Sequence, residues 1–249
     1  MSNLESTILG IKANPLNFKT VISLINDWVK ERATGKYVVL ENVFTIMNAV
    51  DDPAYCTVVK EAALAIPDGK PVAIMHKLKG FKTVEQTRGP ELMYQYLKQS
   101  VNQDISHFFY GGKEGVPEKL KVFFENEFPG IKIVGTYSPP FRKLTTEEDQ
   151  EICDRINQSG ADILWVGLGA PKQDIWMYQH QEKLTVVVQL GIGAAFDFWI
   201  GNLKIAPKWM QTLCLEWFYR FLQEPRRLFK RYFYHNPRFI WYSLFELIS

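Results

Sequence analysis

The chain has 249 residues, 47% of them hydrophobic, with 29 Lys or Arg against 27 Asp or Glu and a formal net charge of +2. That length supports a sizeable core in one large domain, or one domain with an appendage. The apolar content excludes a disordered chain, and the near-neutral balance argues against a general nucleic-acid coat.

In chain order, Met1–Asn14 carries no basic stretch followed by an apolar run, so no secretory signal is read there. Between residues 18 and 34, Val21, Leu24, Ile25, Trp28 and Val29 fall on one helical face, closed by Gly35. Tyr37–Leu40 reads as a strand. Asp52 followed by Pro53 starts a helix expected to reach about Ala65, and Pro71–His76 reads as the next strand. Helix Pro90–Val101, strand Ile105–Tyr110, helix Glu114–Glu127 and strand Ile131–Gly135 follow. The capping box Thr145-x-x-Glu148 opens a helix to Gln158. Strand Asp162–Val166, helix Pro171–Gln181 and strand Thr185–Leu190 complete the series. Six apolar runs alternating with helical patterns predict an α/β fold over residues 1–199, a Rossmann-like parallel sheet with helices on both faces. Beyond about residue 200 the pattern becomes a C-terminal helical appendage, 200–249, of two or three helices punctuated by Pro207, Pro225 and Pro237.

That end of the chain is composed differently. Residues 216–249 hold twelve aromatics and six Lys or Arg against three acids. Elsewhere the longest uncharged run, Leu184–Phe196, is too short and glycine-rich to span a bilayer, which takes about 20 residues. The cysteines, Cys56, Cys153 and Cys214, are far apart and form no CxxC pair, so neither a disulfide framework nor a zinc knuckle is supported, and small buried hydrophobes are expected.

In parallel sheets ligands bind where strands end and helices begin. Three such places carry glycines, Gly111-Gly112, Gly167-x-Gly169 and Gly191-x-Gly193, and glycine there lets a phosphate approach the backbone and the next helix N-terminus. Neither a complete dinucleotide fingerprint nor a P-loop is present. A phosphorylated or nucleotide ligand is therefore expected through another arrangement; Lys172 and Gln173, in the first turn behind Pro171, read either as ligand contacts or as a solvated first turn. Gln173 can hydrogen-bond a sugar hydroxyl or a base edge without charge. There is no Gly-x-Ser-x-Gly elbow, no Asp-x-Asp pair, and no metal-ligand spacing among His76, His107, His180 and His235. Asp68, in Pro67-Asp68-Gly69, reads on its own as a turn residue placed before the 71–76 strand. Asp197, between Phe196 and Phe198, is expected to have a partner.

Taken together, Val166-Gly-Leu-Gly-Ala-Pro-Lys-Gln-Asp-Ile-Trp-Met177, Gly191-x-Gly-Ala-Ala-Phe-Asp197, Gly201-x-x-Lys-x-Ala-Pro207, Leu215-Glu-Trp-Phe-Tyr-Arg220 and Glu224-Pro-Arg-Arg-Leu228 resemble the WecG/TagA/CpsF family of bacterial glycosyltransferases over about residues 35–235. The resemblance implies an inverting, metal-independent transferase with no cofactor. Such an enzyme moves a sugar from a UDP-sugar donor to an undecaprenyl-diphosphate-linked acceptor in cell-surface polysaccharide biosynthesis. It implies Asp68 as general base, Asn42, Gln86, Gln173, Arg220 and Arg227 as substrate-binding residues, and a nucleotide site at Gly111, Gly112, Tyr137, Gly167, Gly169, Lys172, Gln173, Gly191 and Gly193. Lys230 stands where the family has a third tail arginine, with Arg226 and Arg231 as neighbours. Leu40, Gln86 and Ile205 replace the family's usual Thr, Arg and Arg. The donor is thus expected to be of the N-acetylmannosamine type or a hexose such as glucose. A non-catalytic UDP-sugar-binding partner of an assembly complex is the alternative. The aromatic, basic 216–249 segment fits peripheral contact with the inner face of the cytoplasmic membrane from a cytoplasmic protein. No nucleic-acid partner is expected, and self-association is left open.

Overall fold

The computed structural model describes residues 5–248, so the first four residues of the Met1–Asn14 segment lie outside it. The chain opens with an antiparallel hairpin, β1 (Ser6–Ile8) and β2 (Ile11–Ala13), whose turn residues Leu9 and Gly10 both have positive φ. Asn17 caps α1 (Phe18–Glu31) by accepting from the Thr20 amide at 2.8 Å. Then come β3 (Lys36–Glu41), α2 (Val43–Asp51), α3 (Pro53–Glu61), β4 (Leu64–Pro67) and α4 (Lys70–Leu78). The middle of the chain forms α5 (Gly89–Ser100), β5 (Ser106–Gly111), α6 (Val116–Glu127), β6 (Lys132–Tyr137) and α7 (Thr146–Gln158). β7 (Ile163–Gly167), α8 (Lys172–His180) and β8 (Val188–Gly191) complete the sheet layer. α9 (Ala195–Trp199), α10 (Lys208–Thr212), α11 (Glu216–Gln223) and α12 (Pro225–Ile248) follow.

β4-β3-β8-β7-β5-β6 form one parallel sheet. Apolar side chains cover both faces, with Glu41, His107 and Gln189 as buried polar exceptions within the strands. Tyr37, Val39, Phe108 and Tyr110 pack on one side, Val38, Leu40 and Phe109 on the other. From β3 the chain steps outward to β4 and then crosses to β5 beyond β8 and β7. Helices therefore leave in opposite directions and open a crevice over the C-terminal ends of the strands.

Two sequence expectations are corrected. Pro71–His76 is helical, within α4, and the strand is Leu64–Pro67, read above as the last residues of a helix reaching about Ala65 and the start of the following turn, whereas that helix stops at Glu61. Pro71 stands in the first turn of α4, where its missing amide is harmless, and Val72, Ala73, Met75 and His76 are buried at helical spacing. Asp68 consequently follows a strand end, on the same sheet edge as the glycine turns. Pro237 does not end a helix but lies exposed inside α12, where water can serve the carbonyl it leaves unpaired. The spacing also missed α2, a nine-residue helix wedged between β3 and α3. Of the cysteines only Cys153 is fully buried, and all three are free.

The β5–β7 edge tolerates nothing larger than glycine at Gly111. Its φ is +119°, and a Cβ there would lie 2.6 Å from the Gly167 carbonyl carbon. Gly111→Ala is expected to destabilise the fold by about 3 kcal/mol, lowering the melting temperature by roughly 6–12 °C in calorimetry.

Candidate active site

The crevice is a cavity of about 2040 Å³, above the ~300–1,000 Å³ typical of a single small-ligand pocket. It has room for two substrates. Its floor is built from the ends of β3 and β4. The amides of Asp68 and Gly69 both donate to the Glu41 carbonyl at 2.8 Å. The Asp68 carboxylate accepts from the Gly89 amide at 3.2 Å and from the Asn42 side-chain amide at 3.5 Å. Asn42 is also the N-cap of α2, its Oδ1 accepting from Phe44 and Thr45 at 3.0 and 3.3 Å. Gln86 donates its amide to the Asp68 backbone carbonyl at 2.7 Å, so that side chain braces the turn. Burial pushes the Asp68 carboxyl above its ordinary range, and the Gly89 amide, the Asn42 amide, Arg231 and Arg220 oppose the rise. Asp68 is thus a half-buried carboxylate at the cavity floor, more basic than a surface aspartate.

The opposite wall holds the glycine turns. Gly112 donates to the Gly167 carbonyl at 3.0 Å, tying the ends of β5 and β7. Gln173 is 2% exposed, and its Oε1 accepts from the Gly169 amide at 3.0 Å and the Gly193 amide at 2.9 Å. It therefore locks the β7 and β8 turns together. Gly112, Gly167, Gly169, Gly191, Gly193 and the exposed Lys172 line the cavity. Gly111 and Tyr137 do not. Tyr137 closes β6 with its ring parallel to Tyr110, which does line the cavity, and with Arg155 over its face at 4.8 Å. Asp197 has its expected partner, accepting from the Asn202 side chain at 3.0 Å.

The third wall comes from the tail. Arg220 and Arg227 line the cavity, and so does Arg231, named above only as a neighbour of the tail cations. Arg231 donates to Asn42 Oδ1 at 3.2 Å and stacks at 4.0 Å over the Phe44 ring. Burial and the adjacent Arg220 and Arg227 lower its pKa. No periodicity marks Arg231 out from Arg226, Arg227 and Lys230, because helix phase against α2 decides which cation turns inward. α12 is held there by a bidentate Arg238–Asp51 pair at 2.6 and 2.7 Å and an edge contact of His235 on Phe44. Near its C-terminus, Glu246 accepts from the Leu9 amide and from Lys79.

One trio of residue types that could ligate a metal exists among the described residues, Asp149, Cys153 and His180 at the far rim. His180 is already engaged there, Nδ1 with the Trp176 carbonyl at 2.7 Å and Nε2 with Asp149 at 2.8 Å, and so pairs α7 with α8.

Comparisons with known proteins agree on one family. The family described as "Glycosyl transferase WecG/TagA/CpsF family" matches residues 6–249. A protein of Bacillus spizizenii named N-acetylglucosaminyldiphosphoundecaprenol N-acetyl-beta-D-mannosaminyltransferase is 31% identical over 193 residues, 78% of this chain and 73% of its own. A protein of the same name from Bacillus subtilis is 27% identical over 221 residues, 89% of this chain and 84% of its own.

Beneath Gln173 lies a buried acid network. Tyr55 donates to Asp174 at 2.6 Å, and burial lifts the Asp174 carboxyl to about 7. Glu41 is fully buried beside it, also raised by burial and by Asp174. An aspartate with a higher pKa folded than unfolded costs stability as pH rises from about 4 to about 7. Asp174→Asn is expected to melt above the wild type at pH 8, with the gap closing by pH 4.5 in thermal scans.

Proposed function

The chain belongs to the WecG/TagA/CpsF glycosyltransferase family, and on that premise we propose that it transfers a sugar from a UDP-sugar to an undecaprenyl-diphosphate-linked N-acetylglucosamine with inversion. The acceptor follows the names of the two Bacillus relatives. The observation that carries the reading is the Asp68 carboxylate on the floor of a two-substrate cavity, faced by guanidinium groups of the tail and by glycine turns at neighbouring strand ends.

In this mechanism Asp68 takes the proton from the acceptor hydroxyl as its oxygen attacks the anomeric carbon and the bond to UDP breaks. Asn42 and Gly89 hold the carboxylate in one orientation. The negative charge developing on UDP is met by Arg220, Arg227 and Arg231, without a divalent ion, while the glycine turns, having no side chains, let the diphosphate approach the strand ends closely. One displacement needs one base and a stabilised leaving group. Donor choice is the less constrained part. Gln86 and Ile205 stand where the family usually has arginines, and Gln86 turns its amide to the Asp68 carbonyl, which supports a hexose donor such as glucose as readily as an N-acetylmannosamine-type one.

The tail also supports a peripheral role at the inner face of the cytoplasmic membrane. No helix among the described residues is long and apolar enough to cross a membrane. α12 buries Leu228, His235, Phe239 and Ser243 while leaving Phe229, Phe233, Ile240, Trp241, Leu244 and Phe245 more than half exposed. Such a face lies in a lipid interface, with basic residues toward anionic headgroups, and it sits beside the cavity that must receive a lipid-linked substrate.

Asp68→Asn is expected to leave UDP affinity nearly intact and to lower transfer by about a thousandfold, measured by mass spectrometry after a panel of UDP-sugars is offered with a short-chain N-acetylglucosamine-diphospho-lipid. Retained turnover would remove Asp68 as the base. Trp241→Glu combined with Phe245→Glu is expected to abolish pelleting with anionic vesicles while sparing transfer to the short-chain acceptor.

A further inference from the structure

Glu224 sits at the junction of α11 and α12, where φ −134° and ψ 57° break one helix before Pro225 starts the next. The bend leaves its side chain between one arginine four residues back and another three residues on. A single carboxylate oxygen, Oε2, accepts from Arg220 Nη2 at 3.1 Å and forms an ion pair with Arg227 Nη2 at 2.8 Å. Both arginines line the cavity, whereas Glu224 does not. The carboxylate therefore stands behind the cations. Arg220 is further fixed by the Phe198 ring, 4.9 Å from its guanidinium carbon, and its Nε is buried with no acceptor among the described residues.

Resting on the donor assignment above, we propose that Glu224 is a positioning residue for the donor's diphosphate, joining Arg220 and Arg227 into one cation pair presented to the cavity. Two guanidinium groups side by side repel, and each long side chain loses rotamer freedom when it is fixed on a ligand. A shared carboxylate behind them offsets both effects before the ligand arrives, which is what preorganisation contributes to affinity. A carboxylate inside the cavity would compete with phosphate, and its removal would tighten binding. Behind the cations its removal loosens them. The pair with Arg227 is more than half exposed on the arginine side, and exposed ion pairs add little to stability; the pair with Arg220 is more enclosed, so any folding cost is separated from binding by comparing UDP with uridine.

The test is calorimetric titration of the full chain with UDP and, separately, with uridine, which lacks the diphosphate. In Glu224→Ala, UDP affinity is expected to fall about tenfold while uridine affinity stays within about twofold, and Glu224→Ala added to Arg227→Ala costs less than about threefold more, because the glutamate acts through the arginine. Glu224→Gln keeps the size without the charge and is expected to fall between wild type and Glu224→Ala, which guards against a variant that fails to fold. Unchanged or tighter UDP binding in Glu224→Ala would overturn the clamp, as would a parallel loss of uridine. A wild-type chain without UDP affinity would overturn the donor assignment itself, and the clamp with it.

Discussion

Two backbone amides, those of Asp68 and Gly69, converge on the carbonyl of Glu41. That carbonyl ends the central strand of this half of the sheet, and the pair ties the turn after β4 to it. Everything at the cavity floor is referred to this point. The Asp68 carboxylate points where Asn42 and Gly89 can reach it, and Asn42 itself is fixed because it caps α2. A carboxylate this enclosed is expensive to charge in isolation. The donors and guanidinium groups around it lower that penalty without removing it, which leaves a basic carboxylate rather than a quenched one.

The glycine wall obeys a different constraint. Strand ends of a parallel sheet expose amides that no neighbouring strand serves. Gln173 serves two of them with one oxygen, bridging turns that belong to different strands. A residue whose type suggested contact with a sugar thus has its amide oxygen engaged in holding the backbone that a phosphate would meet. Gln86 behaves alike, its amide directed at the Asp68 carbonyl. Polar side chains beside such a cavity serve the loops first, and what reaches the substrate is the geometry they impose.

The tail joins the two walls. α12 is amphipathic in an unusual sense, because its covered face is small and partly polar while its exposed face is aromatic and aliphatic. Ion pairs and ring contacts at Arg238, His235 and Glu246 hold it to α2 and to the N-terminal hairpin. Arg231 enters the cavity about one turn before the first of those anchors. The segment that carries the exposed aromatics therefore also carries a cation into the cavity floor, and the position of one bears on the position of the other.

Much of the fold was legible because helices and strands answer to spacing over a few residues. Five of the six apolar runs read as strands lie on strands of the sheet, the Thr145–Glu148 capping box was found as read, and the motifs carried family membership. Where the reading went wrong, at Pro71–His76 and Leu64–Pro67, short apolar runs fit either period and only packing against the sheet separates them. The sequence by itself determined the α/β class, the glycine-bearing strand ends, the candidate Asp68 and the uneven, aromatic tail. Only the tertiary structure decided that Asp68 follows a strand, that Gln173 and Gln86 turn toward backbone, and that Arg231 faces inward. Each of those depends on groups brought together from distant parts of the chain, 189 positions apart for Arg231 and Asn42, and no local pattern encodes the phase at which a helix docks.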